Sequence, residues 1–265
     1  MLDTHQIEQP VRDQLAYHEC GVISRIYGEI AKEWDALSDC TILEKARMKE
    51  YLSCFVSRSE YFPTIFSRAT SNIQARNLAY REFYGPLFSL ITWYEYGGDQ
   101  INSVDVAPEG ILKKKYSHSS ILIEDIHNLI GEKLDLNKCD RIEKEFSERM
   151  SEMLSQESEF STLGSLIGLY IFSKLHTDYV WKQLYHHSNQ RKEAVEDKQF
   201  YVCHLKNSGP TKSFVLSFVN QRLNMIAPTL GQLDIIEGSG ISSFRENAIW
   251  MKSALSQAEK GCEYH

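Results

Sequence analysis

The stretch Tyr80–Tyr94, YREFYGPLFSLITWY, decides the fold class. Tyr80, Phe83, Tyr84, Leu87, Phe88 and Ile91 recur three or four apart, which lines them along one broad helical face. A stripe of this kind is core far more often than a cofactor box. Pro86 lacks the N–H that a helix interior uses, so it should kink this helix or divide it in two, and Gly97-Gly98 should end it.

The same period extends outward in both directions. Upstream, Pro10 can open a first helix whose apolar positions Val11, Leu15, Val22, Ile23, Ile26 and Ile30 keep near-helical spacing through Trp34. A second helix spans Leu43–Phe55, with a break expected at Ser59–Pro63. Downstream, a helix from Ser117 to Leu129 is closed by Gly131, and a charge-rich surface helix covers Cys139–Leu154. Leu163–Leu184 is strongly apolar, and its Gly164 and Gly168 should permit close approach of a neighbouring core helix. Gln190–Asp197 reads as a loop, and Gln199–Leu205 mixes strand and helix preferences. Phe214–Ile226 and Phe244–Glu259 complete about seven to nine helices. No repeat, long linker or low-complexity tract interrupts them. The expectation is an all-α, single-domain helical bundle over residues 1–265.

Composition narrows the function classes. Glycine and proline number 14 and 6 in 265 residues, too few for the many turns of an all-β chain this long. A formal charge of -7 argues against a nucleic-acid footprint, and the short basic run Lys113–Lys115 reads as a solvated helix start. The six cysteines are scattered without a C-x-x-C pair, so neither a zinc knuckle nor a disulfide-dense framework is expected. No apolar run suits a membrane span, and the first ten residues lack a secretory pattern, so a cytoplasmic location is the default expectation.

Phosphate loops, dinucleotide fingerprints, H-E-x-x-H and G-x-S-x-G are absent from the sequence, as is an aspartate-rich prenyl-diphosphate segment. What remains is Glu124-Asp125-Ile126-His127. Residues three apart share a helical face, so Glu124 and His127 can serve as a surface or cap-like pair, a buried polar pair, or two metal ligands. His176 and Asp178, two apart, diverge on a regular helix. His186 and His187 read as surface residues, and Glu157 and Glu159 as partners of the following helix dipole. His204 follows the apolar Phe200-Tyr201-Val202-Cys203 and is the histidine expected to be buried. Cys203 beside it lacks an orienting third group and makes a poor nucleophile.

The helix order, the aromatic segment Tyr80–Tyr94, the Glu124/His127 helix followed by a long apolar helix, and the late segment ending in His204 together resemble a known family. It is the haem-oxygenase-like superfamily of non-haem iron or di-iron oxygenases and oxidases, which includes the chlamydial death-domain-associated protein. The thiaminase-like TenA branch is similar more loosely. The resemblance runs from Tyr51 to Leu223. It implies a helical bundle in which Glu124 and His127 are iron ligands, with His204 or His176 completing the set. The next core helix, which contributes a glutamate in metal-binding members, here reads Leu169-Tyr170-Ile171-Phe172-Ser173 without a carboxylate.

Three functions follow as expectations. One is an iron-dependent oxidase or oxygenase acting on a small organic substrate, with Tyr80, Tyr84 and Trp93 lining its pocket. The second is a metal-free helical domain that binds a small molecule or a partner, descended from such an enzyme. The third is an interaction module, homodimeric through an exposed aromatic face.

Overall fold

The computed structural model of the chain describes residues 21–38, 42–96, 117–131, 133–187 and 210–262. Among these residues the elements are α1 (Gly21–Ser38), α2 (Lys45–Ile73), α3 (Leu78–Glu95), α4 (His118–Ile130), a 3-10 turn (Leu136–Cys139), α5 (Asp140–Met153), α6 (Glu159–His187), α7 (Pro210–Ile226) and α8 (Leu230–Cys262). None is a strand, so the all-α class holds. None of these helices is long and apolar enough to cross a membrane.

The two long helices α6 and α8 form the most extensive contact, and α1, α2 and α5 also pack on α8. The second centre of packing is α2, which α3, α4 and α5 contact. One connected apolar core draws residues from all eight helices. The stripe at Tyr80, Tyr84, Leu87, Phe88 and Ile91 is buried within it, as its spacing requires. Gly164 and Gly168 lie against backbone carbonyls of α8, so their missing side chains set the separation of the α6/α8 pair.

Helix ends follow local chemistry where that chemistry is strong. Ser117 caps α4, its hydroxyl accepting from Ser120 N–H at 3.2 Å. Gly131 closes it in the left-handed region, φ 73°, donating its N–H to His127 O at 2.8 Å.

Four expectations need correction or narrowing. The break at Ser59–Pro63 does not occur, because α2 runs through Pro63 without interruption. An interior proline costs about 3 kcal/mol, whereas each fully buried large apolar side chain contributes about 1.5–3 kcal/mol. Tyr51, Leu52, Phe55 and Val56 before Pro63, and Ile65 and Phe66 after it, are all buried. Pro86 lies inside one continuous helix, α3, which excludes division there but not a kink, the other outcome expected of it. The last helix begins at Leu230, well ahead of Phe244, despite Gly231, Gly238 and Gly240. Propensity argues against helix there, but Gly240 packs against Ile26 and Gly164 and turns a local penalty into a close contact. Finally, α5 is more than a surface helix: Arg141, Glu145 and Glu148 face solvent while Glu143, Phe146, Ser147 and Met150 are buried.

Candidate functional site

The helices α2, α5, α6 and α8 meet around a buried cation. Arg58, on α2, is 4% exposed. Its guanidinium carbon lies 4.4 Å from the ring centre of Phe146 on α5, 4.3 Å from that of Trp250 on α8 and 5.1 Å from that of Phe172 on α6. Such contacts stabilise a desolvated cation by about 2 kcal/mol or more. Nη2 donates to Asn247 Oδ1. Asn247 is itself held by donation to Ser243 O at 2.7 Å. The Glu143 carboxylate, wholly buried, accepts from Trp250 Nε1 at 2.7 Å and supplies the negative charge that faces Arg58. Burial pulls the Arg58 guanidinium down to about 10 against the opposing pull of Glu143, so it is a cation at neutral pH.

His176, on α6, extends this centre. Tyr51 OH meets His176 Nε2 at 2.5 Å, and both residues are buried. The imidazole stacks on Phe172 at 5.2 Å and meets Trp250 and Phe55 edge-on at 5.3 and 5.1 Å. Burial first, and the Arg58 charge second, hold its pKa well below the ordinary histidine value. The ring is therefore neutral, and Tyr51 donates to it.

The residues expected to bind metal are placed differently from one another. Glu124 and His127 do sit on one face of α4, but that face is exposed, and Asp125 and Ile126 take the buried side. His176 is in the core beside Arg58. His204 lies outside the described residues, as do Lys113–Lys115, Gln190–Asp197, Gln199–Leu205 and Gly97-Gly98. Among the described residues no three His, Cys, Asp or Glu side chains gather so as to hold a metal ion. A guanidinium that disfavours a proton on His176 also disfavours a metal cation there.

Tyr80 and Tyr84 are core residues that tie α3 to the start of α6. Tyr80 Oη lies 2.5 Å from Thr162 Oγ1 and donates to Gln156 O at 3.2 Å, while Tyr84 OH donates to Glu159 O at 3.4 Å. Burial raises the pKa of both phenols. Trp93, by contrast, is 49% exposed at the end of α3. Glu159 stands in the first turn of α6, as expected of a dipole partner, and also pairs with Arg222, whose guanidinium lies 4.1 Å from the Phe83 ring centre. His186 is exposed, and His187 Nε2 meets Leu43 O at 2.6 Å.

Beside the Tyr80 contact lies an open cleft of about 690 Å³, lined by Asn72, Arg76, Glu152 and Ser155–Ser158. Arg76 Nη2 donates to Ser155 O at 2.8 Å, and Asn72 Nδ2 to Ser155 Oγ at 3.1 Å, so the end of α2 and the turn after it shape one wall, and the end of α5 with the α5–α6 connection the other. Its lining carries both charge signs.

Sequence reasoning missed Arg58, Glu143 and Asn247. The signal was present: each falls on an apolar stripe, Arg58 four residues after Cys54, Glu143 three before Phe146, Asn247 three after Phe244. A charge at a stripe position is the mark of a buried polar centre.

The architecture is that of the CADD-like helical proteins. Two crystal structures of a CADD-like protein of unknown function from Nostoc punctiforme resemble this chain. One has a TM-score of 0.54 at 8% identity, covering 97% of this chain and 96% of that one; the other has a TM-score of 0.55 at 9% identity, covering 97% and 99%. At such identity the likeness is one of fold, and at that level it meets the expected resemblance to the group of the chlamydial death-domain-associated protein. No protein-family model matches the sequence, and no curated protein does.

Proposed function

We propose that this chain is a binding protein without a resident metal, built on a CADD-like fold, which takes a small zwitterionic organic molecule in the cleft at Arg76. The observation that carries the metal-free part is the Arg58 guanidinium, which occupies the convergence of α2, α5, α6 and α8, donates to Asn247 and feels the buried Glu143 charge. A buried carboxylate committed to a fixed cation and to an indole N–H is poorly suited to bind metal. The ligand class follows from the cleft, where Arg76, now 3.8 Å from the Glu157 carboxylate, can exchange that loose contact for a ligand carboxylate, leaving Glu152 and Glu157 to receive an ammonium group. A cytoplasmic location belongs to the same reading.

Elemental analysis after anaerobic iron loading tests it, run on the wild type and on Glu124→Ala/His127→Ala. The expected result is no stoichiometric iron in either. Iron bound one-to-one or two-to-one by the wild type and lost from the variant would restore the oxidase reading, with Glu124 and His127 as ligands and His204 or His176 beside them. For the cleft, the standard amino acids serve as probes in a thermal-shift series. At least one should raise Tm in the wild type and not in Arg76→Ala; no shift with any of them would remove the zwitterion assignment.

A further inference from the structure

The connection between α4 and α5 is fastened to α2 at adjacent points. Asp135 donates its N–H to Ser53 Oγ at 3.2 Å. Cys139 is joined by a disulfide to Cys54, across a sequence separation of 85, with their Cα atoms 5.3 Å apart. Both cysteines are 1% exposed.

Each stands one helical turn before a member of the buried charged centre. Cys54 precedes Arg58 by four residues on α2, and Cys139, the last residue of the 3-10 turn and the N-cap of α5, precedes Glu143 by four. Residues four apart share a face, so the disulfide and the Arg58/Glu143 pair are consecutive rungs along the α2/α5 seam. A covalent rung fixes the axial register of two helices. That register decides whether Glu143 meets Trp250 Nε1 and faces Arg58, or leaves a buried cation without its counter-charge.

We propose that Cys54–Cys139 is a redox-set clamp: oxidised, it locks α5 on α2 in the register that serves the Arg58 centre, and reduced, it releases the 3-10 turn and the first turns of α5. Reduction takes a small dithiol. One of its thiolates attacks a disulfide sulfur, the S–S bond breaks, and the leaving cysteine takes up a proton. The second thiol then attacks the mixed disulfide and frees the other cysteine. Two electrons pass to the protein, and the dithiol leaves as a cyclic disulfide. Re-oxidation runs through a low-molecular-weight disulfide such as oxidised glutathione, which is reduced to two thiols. Because both sulfurs are buried, exchange waits on local opening of the seam, and a clamp of this kind responds slowly to the surrounding poise. Stable disulfides are rare in reducing compartments, so the clamp would also report which compartment the chain occupies.

The test uses the full chain equilibrated with oxidised glutathione. Peptide mapping of the unreduced chain should show Cys54 cross-linked to Cys139, a pairing distinct from any glutathione mixed disulfide at Cys20, Cys40, Cys203 or Cys262, and dithiothreitol should abolish it. Hydrogen exchange of peptides covering residues 134–147 should then speed up about tenfold or more on reduction, while the α6/α8 contact is unchanged. The Cys54→Ser/Cys139→Ser variant should exchange like the reduced wild type under oxidising conditions; should it fail to fold, the reduced wild type carries the comparison alone. Absence of the Cys54–Cys139 cross-link after oxidised glutathione overturns the proposal, and so does unchanged exchange on reduction.

Discussion

A Cβ added to Gly168 would lie 2.0 Å from the carbonyl oxygen of Gly240 on the facing helix. Contact with backbone cannot be relieved by a rotamer change, so α6 and α8 must separate to admit even a methyl group. We expect Gly168→Ala to destabilise the chain by about 3 kcal/mol or more, the upper end for overpacked cores. Gly28 supplies the contrast, since nothing lies within 4 Å of a Cβ there. Gly28→Ala, inside α1, should stabilise by about 0.5–1 kcal/mol through helix propensity. Paired urea melts of the two variants read both signs.

The Arg58 centre predicts non-additivity. Arg58→Met leaves Glu143 charged and buried, a change that typically costs about 3–5 kcal/mol. Adding Glu143→Gln removes the orphan charge and keeps an acceptor for Trp250 Nε1. The double variant should therefore be more stable than Arg58→Met alone, and a double-mutant cycle by chemical denaturation measures the coupling. Equal stabilities would mean that Glu143 and Arg58 do not act as a pair.

His176 predicts a pH dependence of definite sign. Its folded-state pKa lies well below the ordinary 6.5 because burial, then Arg58, oppose the protonated ring. Below 6.5 the unfolded chain takes up a proton that the folded chain refuses, so stability is complete above that value and falls as pH falls through it. His176→Gln, which retains an acceptor for Tyr51, should flatten that part of the profile. An unchanged slope in the variant would assign the acid sensitivity elsewhere.

Tyr80→Phe removes the hydroxyl that joins α3 to Thr162 and to the Gln156 carbonyl. Loss of buried hydrogen bonds with a partner left behind costs about 1–3 kcal/mol. The loss should appear as faster hydrogen exchange at residues 155–162, beside the cleft, and little change along α8. If α8 loosens equally, the tie is global and not local.

What the sequence determined by itself was the class of the fold and its faces. The Tyr80–Ile91 stripe predicted a buried helical face, Ser117 and Gly131 marked the ends of α4, and Gly164 and Gly168 announced a tight helix pair; each depends on residues close in the chain, where period and backbone chemistry suffice. Helix boundaries at Pro63 and Leu230 escaped because burial on distant partners outweighed local propensity. The site was decided by tertiary structure almost entirely. Glu124 and His127 shared a face as their spacing demanded, yet nothing local told whether that face met solvent or core. Arg58, Glu143 and Asn247 come from three helices, as do Tyr51, His176 and Trp250. Their meeting depends on how helices are laid across one another, a long-range choice made by the packing of the whole core and not by any segment's own periodicity.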